Sequence, residues 1–131
     1  FSFGLVNAVT PGDWAQLVLT PFFTSKGIGS RAKGPEKLET GMASGHLPVT
    51  VGEYANVAIV FNGKTKKVTL FVDGKTADRN SPMTKLDAFQ SLMIGRLKAS
   101  SAQKMQIDEI RVYASPLSAE WIDEIEPVEA K

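Results

Sequence analysis

The sequence predicts an all-β antiparallel sandwich with one short C-terminal helix, and three observations carry that prediction. Short apolar runs recur along the chain, separated by Gly, Pro, Asn and Asp, the residues that turn a chain between strands. Two separators, Asn62-Gly63 and Asp73-Gly74, lie about one strand's length apart, the spacing of a tight meander. Ser118, near the end, opens a stretch with a helix cap and helical spacing. At 131 residues, with 43% apolar and 22% charged side chains, the chain has the composition of one globular domain.

Residues 1–6 alternate loosely and read as a strand, and Pro11-Gly12 mark a loop over residues 7–13. Residues 14–20 read as a strand that Pro21 stops by removing a ladder donor. Residues 24–37 hold three glycines, one proline and five charges. They read either as a mobile loop or as a loop around a short strand near Ile28. Residues 38–43 make a weaker strand.

Residues 57–61 are apolar on both faces, the mark of a strand covered from both sides. Asn62-Gly63 favours a two-residue type I′ hairpin, because that turn needs positive φ at both central positions. The return strand, residues 67–73, sets Val68, Leu70 and Val72 on one face, and Asp73-Gly74 turns the chain again. Residues 89–95 give a further strand, in which Gly95 suits a bulge or a close backbone contact.

In residues 105–113, Met105 and Ile107 share one phase while Ile110 and Val112 share the other. A period-two strand cannot bury both sets, so a β-bulge is expected near Asp108 and Glu109. Ser118 is placed as an N-cap, with Leu117 and Ile122 spaced as a hydrophobic staple. Pro127 ends the helix, whose buried side is expected to be Trp121, Ile122 and Ile125. The domain therefore spans residues 1–126, and residues 127–131 form a frayed tail.

Fifteen basic and fourteen acidic side chains give a net charge of +1, which offers no basic footprint for nucleic acid. The clusters Lys64, Lys66, Lys67 and Arg31, Lys33 lie beside glycines and read as solvated loops. There is no cysteine, so disulfides are excluded. No apolar run approaches the roughly 20 residues that span a bilayer. The chain starts at Phe1 in strand-like sequence, which reads as a piece of a longer protein.

The phrases at residues 51–61, 70–75, 92–96, 107–113 and 117–120 stand in an order that resembles the C-terminal two thirds of a laminin-G-like, concanavalin A-type jelly-roll domain. Residues 1–4 and 17–21, with Pro82, Met83, Thr84 and Leu86, are similar to that domain as it occurs fused to bacterial glycoside hydrolases. The resemblance implies an antiparallel jelly-roll β-sandwich serving as a non-catalytic accessory module, secreted or periplasmic, beside a catalytic domain in its parent chain. It implies binding of an oligosaccharide or polysaccharide, or a purely structural packing role. It also implies further strands before Phe1, whose lack would expose edges and favour self-association. Where the family has Trp and His, this chain has Tyr54 and Asn56.

Glucanases of the wider superfamily need carboxylates about 5–5.5 Å apart across a sugar bond, and no Glu-x-Asp-x-x-Glu pattern occurs here. No enzyme activity is expected. His46 is the single histidine and cannot by itself build a zinc site. Calcium, common in such relatives, takes oxygen ligands, and Asp108 is its candidate; the competing reading has Asp108 capping bulge amides or pairing with Arg111 or Arg96. A sugar platform needs an exposed aromatic face beside hydrogen-bonding groups. Trp14, Phe22, Phe23 and Tyr54 are its candidates, with core packing as the competing role.

Overall fold

The computed structural model describes residues 2–6, 17–24, 27–35, 39–40, 47–95, 106–107 and 109–124. In chain order these form β1 (Ser2–Val6), β2 (Leu17–Thr24), β3 (Gly27–Lys33), β4 (Glu39–Thr40), β5 (Val57–Asn62), β6 (Lys67–Val72), β7 (Lys75–Asn80), β8 (Ser91–Gly95) and α1 (Ala119–Glu124). One sheet has the order β4-β3-β2-β1-β8 and the other the order β5-β6-β7, with antiparallel pairing throughout. The expected all-β sandwich with one short helix is what the chain forms.

The core lies where β6 faces β3 and β5 faces β2. Ile28 of β3 packs with Leu70 and Val72 of β6, joined by Leu47, Val57 and Ile59. Ala32 packs with Val68 and Met83, joined by Leu19, Ile59, Phe61 and Leu86. The single apolar phase of β6 therefore reads out as designed. Each such side chain contributes roughly 1.5–3 kcal/mol by leaving water. The odd phase of β6 faces outward, where Thr69 and Phe71 meet residues 116–119 across an open groove of about 370 Å³. β5, apolar on both phases, is accordingly half-buried along its whole length.

Several expectations are corrected. Of the two readings of the Gly-rich stretch, the strand near Ile28 is the one found, and it runs longer than expected, as the seven-residue β3, buried almost throughout. Its glycines weaken strand propensity, yet pairing on both sides supplies the missing support. Arg31, only 6% exposed, and Lys33, paired with Asp87 at 3.7 Å, belong to this strand and not to a solvated loop. The Lys64 and Lys66 turn is exposed as expected.

Pro21 does not stop its strand, because β2 continues to Thr24 with Pro21 opposite Ser30. The registered β1 partners of β2 end at Leu19, so the missing N–H interrupts no registered pair on that side. The irregularity in this sheet falls between Leu5 and Val6 and not at Gly95, which pairs regularly with Ser2.

The two hairpins of the meander differ. Asp73 and Gly74 take positive φ (49° and 78°) between the paired Val72 and Lys75, a two-residue turn as expected. Asn62 instead pairs with Lys67 and closes a four-residue turn, and Lys66, not Gly63, takes the left-handed conformation at φ 53°. The Asn62 side chain accepts the Lys64 and Thr65 amides at 3.0 and 3.2 Å. Gly63 is needed for space, since a Cβ there would strike the Thr84 carbonyl.

Residues 106–107 and 109–113 belong to no strand, against the expected bulged strand. Their two apolar phases give a neighbouring sheet no single face to bury, and Ile107, Val112 and Tyr113 are exposed. In α1 the Trp121 amide donates to Ser118 Oγ at 3.3 Å, as an N-cap requires, and Ile122 is buried. Trp121, expected in the core, is 65% exposed instead. A helix of six residues offers one narrow face to the sheet, and Ile122 takes it. Ile125 and the tail lie outside the described residues.

The open end of the sandwich is the β1–β8 side. Leu92 stands opposite Leu5, which stands opposite the core residue Leu19, so all three share one face. Yet Leu92 and Ile94 are 40% and 57% exposed, since the three-stranded sheet lies over β3 and β2.

Candidate functional site

Residues 47–56 form a loop pinned at both ends. At its start, Leu47 and Ile28 exchange two backbone bonds of 2.8 and 2.9 Å. At its end, the Asn56 amide donates to Asp73 Oδ1 at 2.8 Å and the Asp73 amide donates back to the Asn56 carbonyl at 3.0 Å. The second hairpin of the meander thus anchors the loop. Between these pins the Glu53 amide donates to the Thr50 carbonyl, and Tyr54 projects outward with 59% of its surface in water.

The Tyr54 hydroxyl donates to Gln106 Oε1 at 3.2 Å, which ties the loop to the segment beginning at residue 106. Further along that segment, Arg111 Nε and Nη2 donate to the two oxygens of Glu109 at 2.6 and 3.0 Å. First Glu109 and then Tyr113 hold the guanidinium pKa above its already high ordinary value. The result is an exposed rim surface on which Tyr54 is held through its hydroxyl to Gln106, and the segment from Gln106 goes on to an exposed carboxylate–guanidinium fork and an exposed Tyr113. Such an arrangement offers stacking faces and hydrogen-bond donors and acceptors together, the chemistry that sugar hydroxyls and C–H faces match.

Of the four aromatic candidates, Tyr54 alone can be placed in this rim. Phe22 and Phe23 lie on β2, opposite Gly29 and Ile28. Trp14, His46 and Asp108 lie outside the described residues. Sequence reasoning met Glu109 only at the expected bulge and Arg111 only as a partner for Asp108, and passed over Gln106 and Tyr113 as site residues. The period-two spacing of the last three was the available signal, since an extended chain puts such residues on one side. Arg111 is bound by Glu109; the readings of Asp108, as calcium ligand, as cap of bulge amides or as partner of Arg111 or Arg96, lie outside the described residues.

Among the described residues no group of three or more His, Asp or Glu side chains converges to hold a metal ion. Apart from Glu109, three described carboxylates have structural contacts: Asp73 holds the loop end, Asp87 meets Lys33 and Asp78 meets Lys67. No described helix is long and apolar enough to cross a membrane.

Comparison with curated proteins and with solved structures found no significant match. The laminin-G-like model described as the concanavalin A-like lectin/glucanases superfamily matches residues 13–123, which takes in all but β1 of the strands and the helix nearly to its end. The chain belongs to the concanavalin A-like lectin/glucanase superfamily.

Proposed function

We propose that this domain is a non-catalytic, carbohydrate-binding accessory module of a secreted or periplasmic bacterial carbohydrate-active enzyme, targeting a neighbouring catalytic domain to its glycan. The observation that supports this most is the rim of Tyr54, Gln106, Glu109, Arg111 and Tyr113. It presents an exposed aromatic face, that of Tyr54, already held in place by its bond to Gln106, which reduces the entropy cost of binding. The lectin-containing superfamily makes a sugar the reasonable ligand for that chemistry.

Titration of the domain with arabinan, pectic and host-type oligosaccharides, followed by calorimetry or amide NMR, tests the reading. Shifts confined to residues 50–56 and 106–113 are the expected result. Absence of binding to every glycan would overturn it. Running the titration with calcium and then with a chelator tests the expectation for Asp108; the proposal itself needs no metal.

A structural role in packing against a catalytic domain is the second reading. It draws support from Leu92 and Ile94, apolar side chains on the open sheet face.

A further inference from the structure

We infer that the open side of the sandwich is a self-complementary interface, through which two copies of this chain complete each other's sheets by pairing β5 of one with β8 of the other. The inference does not depend on glycan binding, and it assigns to a second copy the face that the structural reading gives to a catalytic domain.

The two sheets are out of step. β6 lies against β3 and β5 against β2, which leaves β1 and β8 as an overhang two strands wide, about 10 Å. Leu92 points to the inner face of that overhang, as does Ile94 two residues on, and both are exposed. Beside the gap, β5 has β6 as its one neighbour among the described residues, and β8 has β1. The four sheet edges differ in chemistry. On the far side, β7 carries Lys75, Asp78 and Arg79, and β4 has only two residues; charge and shortness both guard an edge against pairing. β5 and β8 carry neither charge nor proline. The unguarded edges are the two that flank the gap.

A second copy fits this gap by symmetry. Take a two-fold axis parallel to the strands, midway between β1 and β8 and midway between the two layers. It lays the partner's β8 over β1 and the partner's β1 over β8, so each overhang fills the other's gap. The partner's β8 then lies beside β5, and β8 lies beside the partner's β5. Strand direction agrees as well. Ile28 groups with Leu70 and Val72 while Ala32 groups with Val68, so β6 runs opposite to β3. Following the antiparallel pairings outward sets β5 opposite to β8. A two-fold along the strands preserves direction, so the new pair is antiparallel like every other. The outer edges of both completed sheets are β7 and β4, the guarded ones, and assembly stops at two.

Sedimentation velocity across a roughly hundredfold range of concentration reads the assembly. A monomer–dimer equilibrium is expected, with amides of β5 and β8 exchanging more slowly in the dimer and those of β7 unchanged. Ile94→Lys should weaken the dimer about tenfold or more, because it places a charge in the closed gap. Val112→Lys, as exposed in the single chain, should leave the dimer intact. Circular dichroism shows that both variants fold. A monomer at every concentration overturns the inference. So do an open series of larger oligomers, a dimer that Ile94→Lys leaves intact, and a dimer whose β5 and β8 amides exchange as in the monomer. Glycan titration of the same samples reads the binding proposal separately, whichever of these results is obtained.

Discussion

β6 and the segment at residues 106–113 are both rich in strand-forming residues, yet only one of them is a strand. In β6 the apolar residues Val68, Leu70 and Val72 keep one phase, and the strand lies at the centre of its sheet, facing β3. In residues 106–113 the phase changes midway, no strand forms among the described residues, and Val112 and Tyr113 stay in water. A ladder needs a neighbour and a face to bury, so sequence that offers two faces is released from the core. The released segment is then free to carry Gln106, Glu109, Arg111 and Tyr113. In the proposed reading, stability and recognition are thus divided between two stretches of similar composition.

Truncation breaks or sharpens that contrast most directly. Leu70→Ala, at a fully buried core position, should cost about 2–5 kcal/mol in urea unfolding. Val112→Ala, more than half exposed, should stay within about 0.5 kcal/mol. Comparable losses in the two variants would mean that residues 106–113 are packed as tightly as β6, and the contrast would fail.

Where one physical rule acted alone, the sequence was readable. The single phase of β6, the Asp73-Gly74 turn and the Ser118 cap each follow from local chemistry, and each is found. Where tertiary packing overrode local preference, it was not. β3 looked like a loop because its glycines weaken a strand, but pairing with β2 and β4 holds it in place. Trp121 looked like core because it is large, but a helix this short buries only Ile122. In the rim, Tyr54 stood out as an aromatic in a loop. Its partner Gln106 is 52 residues away, a contact no local pattern reveals.

The two hairpins allow a finer version of the same comparison. Gly63→Ala forces a methyl group against the Thr84 backbone and should cost about 1–3 kcal/mol. Gly74→Ala meets open space and only the strain of positive φ, about 1 kcal/mol. Chemical denaturation of the pair should rank them in that order. The reverse ranking would show that turn conformation, not close approach of the two chains, governs the meander.

On the recognition side, Tyr54→Ala should leave the unfolding midpoint nearly unchanged while weakening the best glycan about tenfold, or roughly 1.4 kcal/mol. A large stability loss without a binding change would reassign Tyr54 to packing. Ser118→Ala should remove about 0.5–1 kcal/mol through loss of the cap, with glycan affinity intact.

The smallest expected effect is that of pH. Because folding raises the Arg111 pKa, the pair's contribution is fully present below the unfolded-state value and is lost only as pH rises through the folded one. Arginine's ordinary value is already far above neutrality, so the whole window lies beyond physiological pH. Between about pH 6 and pH 9 the guanidinium should keep its charge and its fork with Glu109, and glycan affinity should stay flat. A change of more than about threefold over that range, against an unchanged melting temperature, would assign control of the rim to a group other than Arg111. Recognition there would then depend on a titrating side chain outside the fork, and Glu109→Gln should leave that pH dependence in place.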